Sequence, residues 1–312
     1  METAQKLRRK GRFMRDLKKQ WPLHIMVLPG IIFVAIFVYI PIWGLLIAFQ
    51  RFRVLDTFAT APWIGLENFR IIMQDSFFWD SVWNTIGISA LKMLFGFVAP
   101  IILAIQIHEM KAGRLKKTIQ SISYLPHFLS WVILGGMMLT WLSTNGLVNQ
   151  LLQLFGGANP PQNHLLNTGA YWWIAAISDM WKNAGWGTIL YLAALSKVDP
   201  TYYEAAKIDG ANRLQMIRHI TLPSLKFIIS LNLVLTISGL LGSNLDQTLV
   251  LQNPVNQPVS EVISSYVFRM GITQGDFSYA TAVGLGISVI SLMLLLITTT
   301  ISKKLNDNQS IL

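Results

Sequence analysis

Six apolar runs, each near the length that crosses a bilayer, constrain this chain more than any other feature. About 30 Å of hydrocarbon takes roughly 20 helical residues at 1.5 Å of rise each. Leu23–Phe49, Thr118–Leu142, Phe227–Leu245 and Tyr279–Ile301 contain no Asp, Glu, Lys or Arg. Asn84–Ile107 contains only Lys92, and Ala170–Leu195 only Asp179 and Lys182. With no water to bond, a lipid-embedded backbone must satisfy itself, so each run reads as a helix. Composition agrees: 53% of residues are hydrophobic and 13% charged, against about 25% charged in soluble domains. The expectation is an all-α membrane protein. It comprises a basic tail (1–22), a six-helix domain (23–301) and a short tail (302–312). The first run far exceeds the apolar core of a signal peptide, and no small-x-small cleavage site follows it, so a retained helix is expected. The absence of cysteine excludes disulfides, CxxC redox pairs and thiolate metal sites.

The net charge of +10 is distributed in a way that assigns it to topology rather than to nucleic acid. The N-terminal tail holds eight Lys and Arg, the second loop four, the fourth five and the C-terminal tail two, nineteen in all. The first, third and fifth loops hold three, none and one. The positive-inside rule therefore places both termini and the second and fourth loops in the cytoplasm. Trp172 and Trp173 at the start of the fourth run, Trp141 at the end of the third and Trp21 before the first occupy belt positions.

The fourth loop, 199–223, is a polar interruption with helical grammar. Asp199-Pro200 offers a capping side chain followed by proline at the first turn, with Thr201-x-x-Glu204 as an alternative capping box. Gly210 supplies the left-handed residue that ends a helix. A second helix is expected over Ala211–Ile220. Leu222-Pro223 marks its exit, because the residue before proline avoids helical angles. Leu214, Ile217 and Ile220 recur every three residues as an apolar edge beside Arg213 and Arg218. Two readings follow from these residues: a helix lying on anionic lipid and a docking element for a cytoplasmic protein.

The segment resembles the EAA loop of permease subunits of binding-protein-dependent ABC importers. That pattern is E-A-A, three residues, G, nine residues, then I-x-L-P. Here Glu204-Ala205-Ala206 is followed by Gly210, with Asp209 and Ala211 on either side of the glycine. Ala211–His219 supplies the nine residues, and Ile220, Leu222 and Pro223 close the pattern. Gly65-Leu66-Glu67-Asn68-Phe69 and Asn84-Thr85 resemble a signature of sugar-importer permeases. Tyr124-Leu125-Pro126-His127-Phe128, Ser130-Trp131 and Ser265–Gly271 resemble the polysaccharide-permease branch. Ser243-Asn244-Leu245 departs from the more aromatic run expected there. The resemblance spans about Pro22 to Ile301. It implies a type I ABC importer permease fold in a bacterial cell membrane, with loop 199–223 as the coupling helix that docks on a cytoplasmic ATPase. It also implies a second, related permease, two ATPase subunits, an extracellular solute-binding protein and an oligosaccharide cargo.

Catalytic motifs are incomplete. Gly113–Thr118 ends in Lys-Thr but lacks the glycine of a P-loop, so ATP and Mg are expected on a separate ATPase chain, with no cofactor bound here. His108-Glu109 begins an HExxH pattern that Ala112 breaks. No metal site is expected, and no paired catalytic groups lie within the runs.

Charged residues within a span are costly and point to function. Asp179 and Lys182, three apart, can form an ion pair along one helix face or contact solute. In the fifth run Asn232, Thr236, Gly239, Ser243 and Gln247 fall within an arc of about 80°, continued by Asp246. Such a stripe packs against other helices or lines a water-filled path. Asn183 and Trp186 share that path as candidates, with Trp181 and Tyr191 as weaker ones. A lining of carboxamides and tryptophan, without paired arginines, favours a neutral or lightly charged sugar over amino acids, phosphonates or oxyanions. A non-transporting scaffold that recruits an ATPase is the competing class.

Overall fold

The computed structural model describes residues 20–53, 55–156, 160–242 and 244–305. The basic tail 1–19, residue Ser243 and residues 306–312 lie outside the described residues. Among the described residues there is helix and no strand; a lone antiparallel bridge joins Gln50 to Trp63. The helices that carry the argument are α1 (Trp21–Val34), α2 (Glu67–Gln74), α3 (Ser76–Glu109), α4 (Arg114–Tyr124), α5 (Trp131–Trp141) and α6 (Leu147–Leu154). They continue with α7 (Tyr171–Leu195), α8 (Pro200–Ile208), α9 (Arg213–Met216), α10 (Leu222–Ser238), α11 (Leu245–Leu251), α12 (Gln257–Ser260), α13 (Ile263–Phe268) and α14 (Phe277–Leu305).

Four helical segments are long and apolar enough to cross a membrane: Trp21–Phe49, Ser76–Glu109, Arg213–Ser238 and Phe277–Thr300. The third predicted run is not one straight helix. Arg114–Phe128 and Trp131–Trp141 meet at 97° and make a fifth crossing only if taken as one bent span. The cause is local. Pro126 lies in a 3-10 turn, Leu129 is extended, and Ser130 restarts the helix by accepting the Ile133 N–H at 3.2 Å. α7 is helical over 25 residues, about 37 Å, but its polar residues keep it from the apolar set. It packs lengthwise on α3, while α14 packs on α10 and on the end of the first segment.

Two further expectations change. Pro223 does not end a helix: Leu222 is helical (φ −65°, ψ −43°), and the chain runs unbroken into α10. A π turn over Ile217–Thr221 absorbs the proline. It places the Leu222 N–H on the Ile217 carbonyl five residues back, a wider turn just before the residue that has no N–H to donate. The fifth run, Phe227–Leu245, is cut short instead, since α10 stops at Ser238 with Gly239 as its cap. Asn244 then starts α11 by accepting the Gln247 N–H at 3.3 Å.

Short polar motifs pin the frame. The Asn68 amide donates to the carbonyls of Ala48 (2.8 Å) and Gln50 (3.3 Å), fixing α2 to the end of the first segment. Asn84 donates to Pro258 and Glu261 carbonyls at 2.8 and 3.1 Å, and the Ile263 N–H donates to Thr85 Oγ1 at 2.8 Å. The Trp172 indole N–H donates to the Val259 carbonyl at 2.8 Å, while Trp173 remains exposed. Gly185 allows α7 to press on α4, where an added Cβ would lie 1.8 Å from the Ser123 carbonyl oxygen.

At the N-terminus of α3 the Tyr266 and Tyr279 hydroxyls converge on Asp75 Oδ2, the latter at 2.9 Å. Burial pushes the Asp75 carboxyl up. Hydrogen bonds from both phenols and from the Phe77 and Phe78 N–H groups outweigh it and hold the group below its ordinary value of 3.8. A carboxylate depressed in the fold contributes stability that is present above the ordinary value and lost as pH falls through the lowered one. The thermal unfolding midpoint of the purified protein should therefore drop as pH falls below about 5 and on through the lowered value. Asp75→Asn should flatten that part of the profile and lower the plateau above it.

Candidate functional site

A concavity of about 690 Å³ opens between α3, α7 and α10. Ser89, Lys92 and Pro100 come from α3. Asp179, Asn183, Trp186 and Tyr191 come from α7, and Asn232, Thr236 and Gly239 come from α10 and its cap. Asn244 closes it from the break after α10. The sequence-predicted residues Asn183, Trp186, Asn232 and Thr236 are thus brought to one cavity. Asn183 and Trp186 lie three residues apart and so share a face of α7. Asn232 and Thr236 lie four apart on α10, and the Thr236 hydroxyl donates to the Asn232 carbonyl at 2.8 Å.

The rest of the predicted stripe goes elsewhere. Ser243 lies outside the described residues. Asp246 is exposed on α11 and does not line the cavity. Gln247 is 1% exposed: its amide donates to the Ala175 carbonyl (2.8 Å) and Ser178 Oγ (2.9 Å), and its Oε1 accepts from Lys92 Nζ at 2.5 Å. The extrapolated arc failed because α10 ends at Ser238, and a new helix axis resets the angle of every later residue. Trp181 also turns away, packing edge-on against Trp141 with ring centroids 6.4 Å apart.

Two residues organise the α7 wall in ways the sequence did not indicate. His127 stacks on Trp186 with centroids 4.6 Å apart and planes 4° from parallel, and its Nδ1 lies 3.1 Å from Asn183 Oδ1. Its place in the Tyr124–Phe128 motif was the available signal. The second is Lys182, which forms no ion pair with Asp179. Its Nζ donates to the carbonyls of His127 (2.8 Å), Leu129 and, more weakly, Pro126 (3.5 Å). The Pro126 carbonyl also accepts the Leu129 N–H at 3.2 Å, whereas the His127 and Leu129 carbonyls face the bend between the α4 and α5 segments, where helical partners run out. Asp179 instead accepts from the Asn183 amide at 3.3 Å.

The predicted docking loop forms a second, exposed site. Asp199 caps α8 by accepting the Thr201 N–H at 2.9 Å, a bond that holds its carboxyl below the usual range. The alternative Thr201–Glu204 box is not used. Gly210, at φ 79°, ends α8, with the Ala211 N–H reaching back to the Ala206 carbonyl at 2.9 Å. Asn212 and Gln215 then form a reciprocal capping box that starts α9. Glu204, Ala205, Asp209 and Gly210 are exposed, Ala206, Ala211 and Ile220 half-buried, and Leu222 and Pro223 exposed. Of the apolar edge, Leu214 projects while Ile217 and Ile220 are partly covered; Ile208 is 87% exposed. Tyr203 anchors the loop, its hydroxyl 3.1 Å from Thr221 Oγ1 and its ring 5.9 Å from that of His108 at the end of α3.

Comparison with known proteins places these features in context. Residues 96–307 match the family described as binding-protein-dependent transport system inner membrane component. The polygalacturonan/rhamnogalacturonan transport system permease protein YteP of Bacillus subtilis is 37% identical over 303 residues, 97% of this chain and 94% of that protein. Protein LplB of the same organism is 36% identical over 298 residues, 95% of this chain and 92% of that protein. A solved structure of a bacterial ABC transporter involved in the import of the acidic polysaccharide alginate contains a chain that superposes with a TM-score of 0.86 at 36% identity. The match covers 94% of this chain and 99% of that one. The alginate transporter in complex with an alginate pentasaccharide-bound periplasmic protein gives the same score at 35% identity, over 94% of this chain and 98% of that one.

Lys182→Met should lower the stability of the fold by about 2 kcal/mol, since charge-assisted hydrogen bonds to buried carbonyls are lost. Thermal unfolding of the purified protein measures this. An unchanged midpoint would mean that the bend holds without the lysine.

Proposed function

This chain belongs to the family of binding-protein-dependent transport system inner membrane components, and from that premise we propose that it forms one half of a passage for an acidic oligosaccharide. It is a permease subunit of a carbohydrate ABC importer and does no catalysis itself. The likeness along nearly its whole length to a permease chain of the alginate importer carries the reading. The cargo is delivered by an external binding protein, as the second alginate structure pairs its transporter with a periplasmic one.

In the proposed arrangement the chain crosses the bacterial cytoplasmic membrane six times, with α4–α5 and α7 supplying two of the crossings. The charge asymmetry of the loops supports placing both termini and loop 199–223 in the cytoplasm. Loop 199–223 docks on one of two ATPase subunits, which hold ATP and Mg. A second, related permease supplies the other wall. The exposed Glu204 carboxylate suits a cationic partner group, and the half-buried Ala206 allows close approach. Coupling has a physical route. Arg213–Ser238 is one continuous helical segment, so motion imposed beside Gly210 reaches Thr236 about 35 Å away without crossing a loop.

The test is reconstitution with the partner permease, the ATPases and the binding protein in proteoliposomes. ATP-dependent accumulation of an oligouronate is expected; accumulation of no oligosaccharide would refute the reading. Within that system Gly210→Pro should disconnect ATP hydrolysis from uptake or prevent ATPase binding, because the proline ring fixes φ near −65° where the chain needs 79°. Glu204→Lys should act similarly by reversing the docking charge. Normal uptake by both would remove the coupling role. Asn232→Leu and Thr236→Leu should each cut uptake about tenfold, the worth of one hydrogen bond to a sugar hydroxyl, without reducing complex yield.

A further inference from the structure

The cavity lining includes one cation, Lys92, that no carboxylate contacts among the described residues, although Asp179 on the facing wall acts on it through space. The two ion pairs among the described residues are Arg51–Glu67 at 3.2 Å and Arg269–Glu261 at 2.7 Å; Lys92 is in neither. Among the described residues its ammonium makes one hydrogen bond, to Gln247 Oε1 at 2.5 Å, although an ammonium has three protons to donate. The orientation of Gln247 is fixed by its other end. Its amide nitrogen faces the Ala175 carbonyl, which can only accept, so the Oε1 must face Lys92. Gln247 is buried and held by two groups of α7, and it therefore sets where the Lys92 ammonium stands in the cavity.

Across the cavity the α7 wall has the opposite character. Asp179 lines it and accepts from Asn183 at 3.3 Å, and Trp186 offers a ring face steadied by His127. The neighbouring Lys182 does not neutralise Asp179 by contact, because its ammonium is spent on the carbonyls of the α4–α5 bend. The lining thus presents a positive point on α3 facing a carboxylate, an amide and an aromatic plane on α7. A uronic acid residue carries the complementary set: one carboxylate, several hydroxyl donors and an apolar C–H face. A neutral hexose has no group for the ammonium, and a simple anion has none for the α7 wall.

We propose that Lys92, positioned by Gln247, is the specificity residue of this permease, binding the carboxylate of a uronosyl unit while Asp179 and Asn183 take its hydroxyls. The proposal rests on the reading above that the cargo is an oligosaccharide moving through this cavity. It replaces the expectation of a neutral or lightly charged sugar, which rested on the carboxamide and tryptophan content alone.

The experiment measures equilibrium binding to the purified, assembled importer without its binding protein, so that selection by the binding protein does not enter. The probes are trigalacturonate and an alginate trisaccharide, each beside its carboxyl-reduced neutral counterpart. The intact complex is expected to bind at least one uronate about tenfold more tightly than its neutral counterpart, as one charge-assisted hydrogen bond to a carboxylate predicts. Lys92→Gln, which can still donate to Gln247, should erase the preference while leaving affinity for the neutral trisaccharide in place, and Lys92→Arg should restore it. Equal affinity of the intact complex for each pair, binding of neither, or a preference that survives in Lys92→Gln would overturn the proposal. Loss of affinity for acidic and neutral probes alike in Lys92→Gln would also overturn it, because Lys92 would then be only a packing partner of Gln247. Failure of the broader reading is distinguishable: it is the absence of any ATP-dependent oligosaccharide accumulation by the intact reconstituted complex.

Discussion

In a lipid-embedded chain every interruption of a helix must find internal partners for the backbone groups it releases. This protein breaks its helices at two sensitive places and meets that demand with long polar side chains from elsewhere. At the α4–α5 bend, the lysine of α7 reaches the free carbonyls of His127 and Leu129. At the break after α10, Asn244 caps the helix that follows, and Gln247 ties its first turn to α3 and α7. These bonds satisfy backbone and side-chain groups at both breaks, and the second break supplies Asn244 to the cavity lining.

The same economy explains why the cavity is chemically asymmetric. Lys182 and Lys92 lie on different helices and face different environments. Lys182 donates to backbone carbonyls, whereas Lys92 is held by a neutral amide and lines the cavity. A carboxylate between them, Asp179, bonds only an amide neighbour. Charge inside a span is costly, and this concavity carries it on two walls, Lys92 on α3 and Asp179 on α7.

The exposed loop obeys a different physics. Its residues make few tertiary contacts and its form comes from local rules: an Asp cap and proline at one end, a left-handed glycine in the middle, and an Asn–Gln box to restart. Tyr203 alone moors it to the helix ends beneath. The proline that closes the motif is accommodated by a π turn, which keeps loop and span mechanically continuous.

What the sequence determined by itself was therefore whatever depends on neighbours along the chain. Apolar run length fixed a helical membrane protein. Caps and the glycine fixed the two-helix loop, and the spacing from Glu204 to Pro223 fixed the family. Within a single helix the angular argument also held: Asn183 with Trp186, and Asn232 with Thr236, share faces as their spacing requires. It failed at the first break, where Gln247 passed from an expected path residue to a buried junction. The partners of Lys92 and Lys182 could not be read at all, because they lie 155 and 55 positions away in the chain. Only the packing of α3, α7 and α11 decides that Lys182 meets backbone carbonyls and Lys92 a side-chain amide, since a charge is satisfied by what lies within about 3 Å in space, wherever that group falls in sequence.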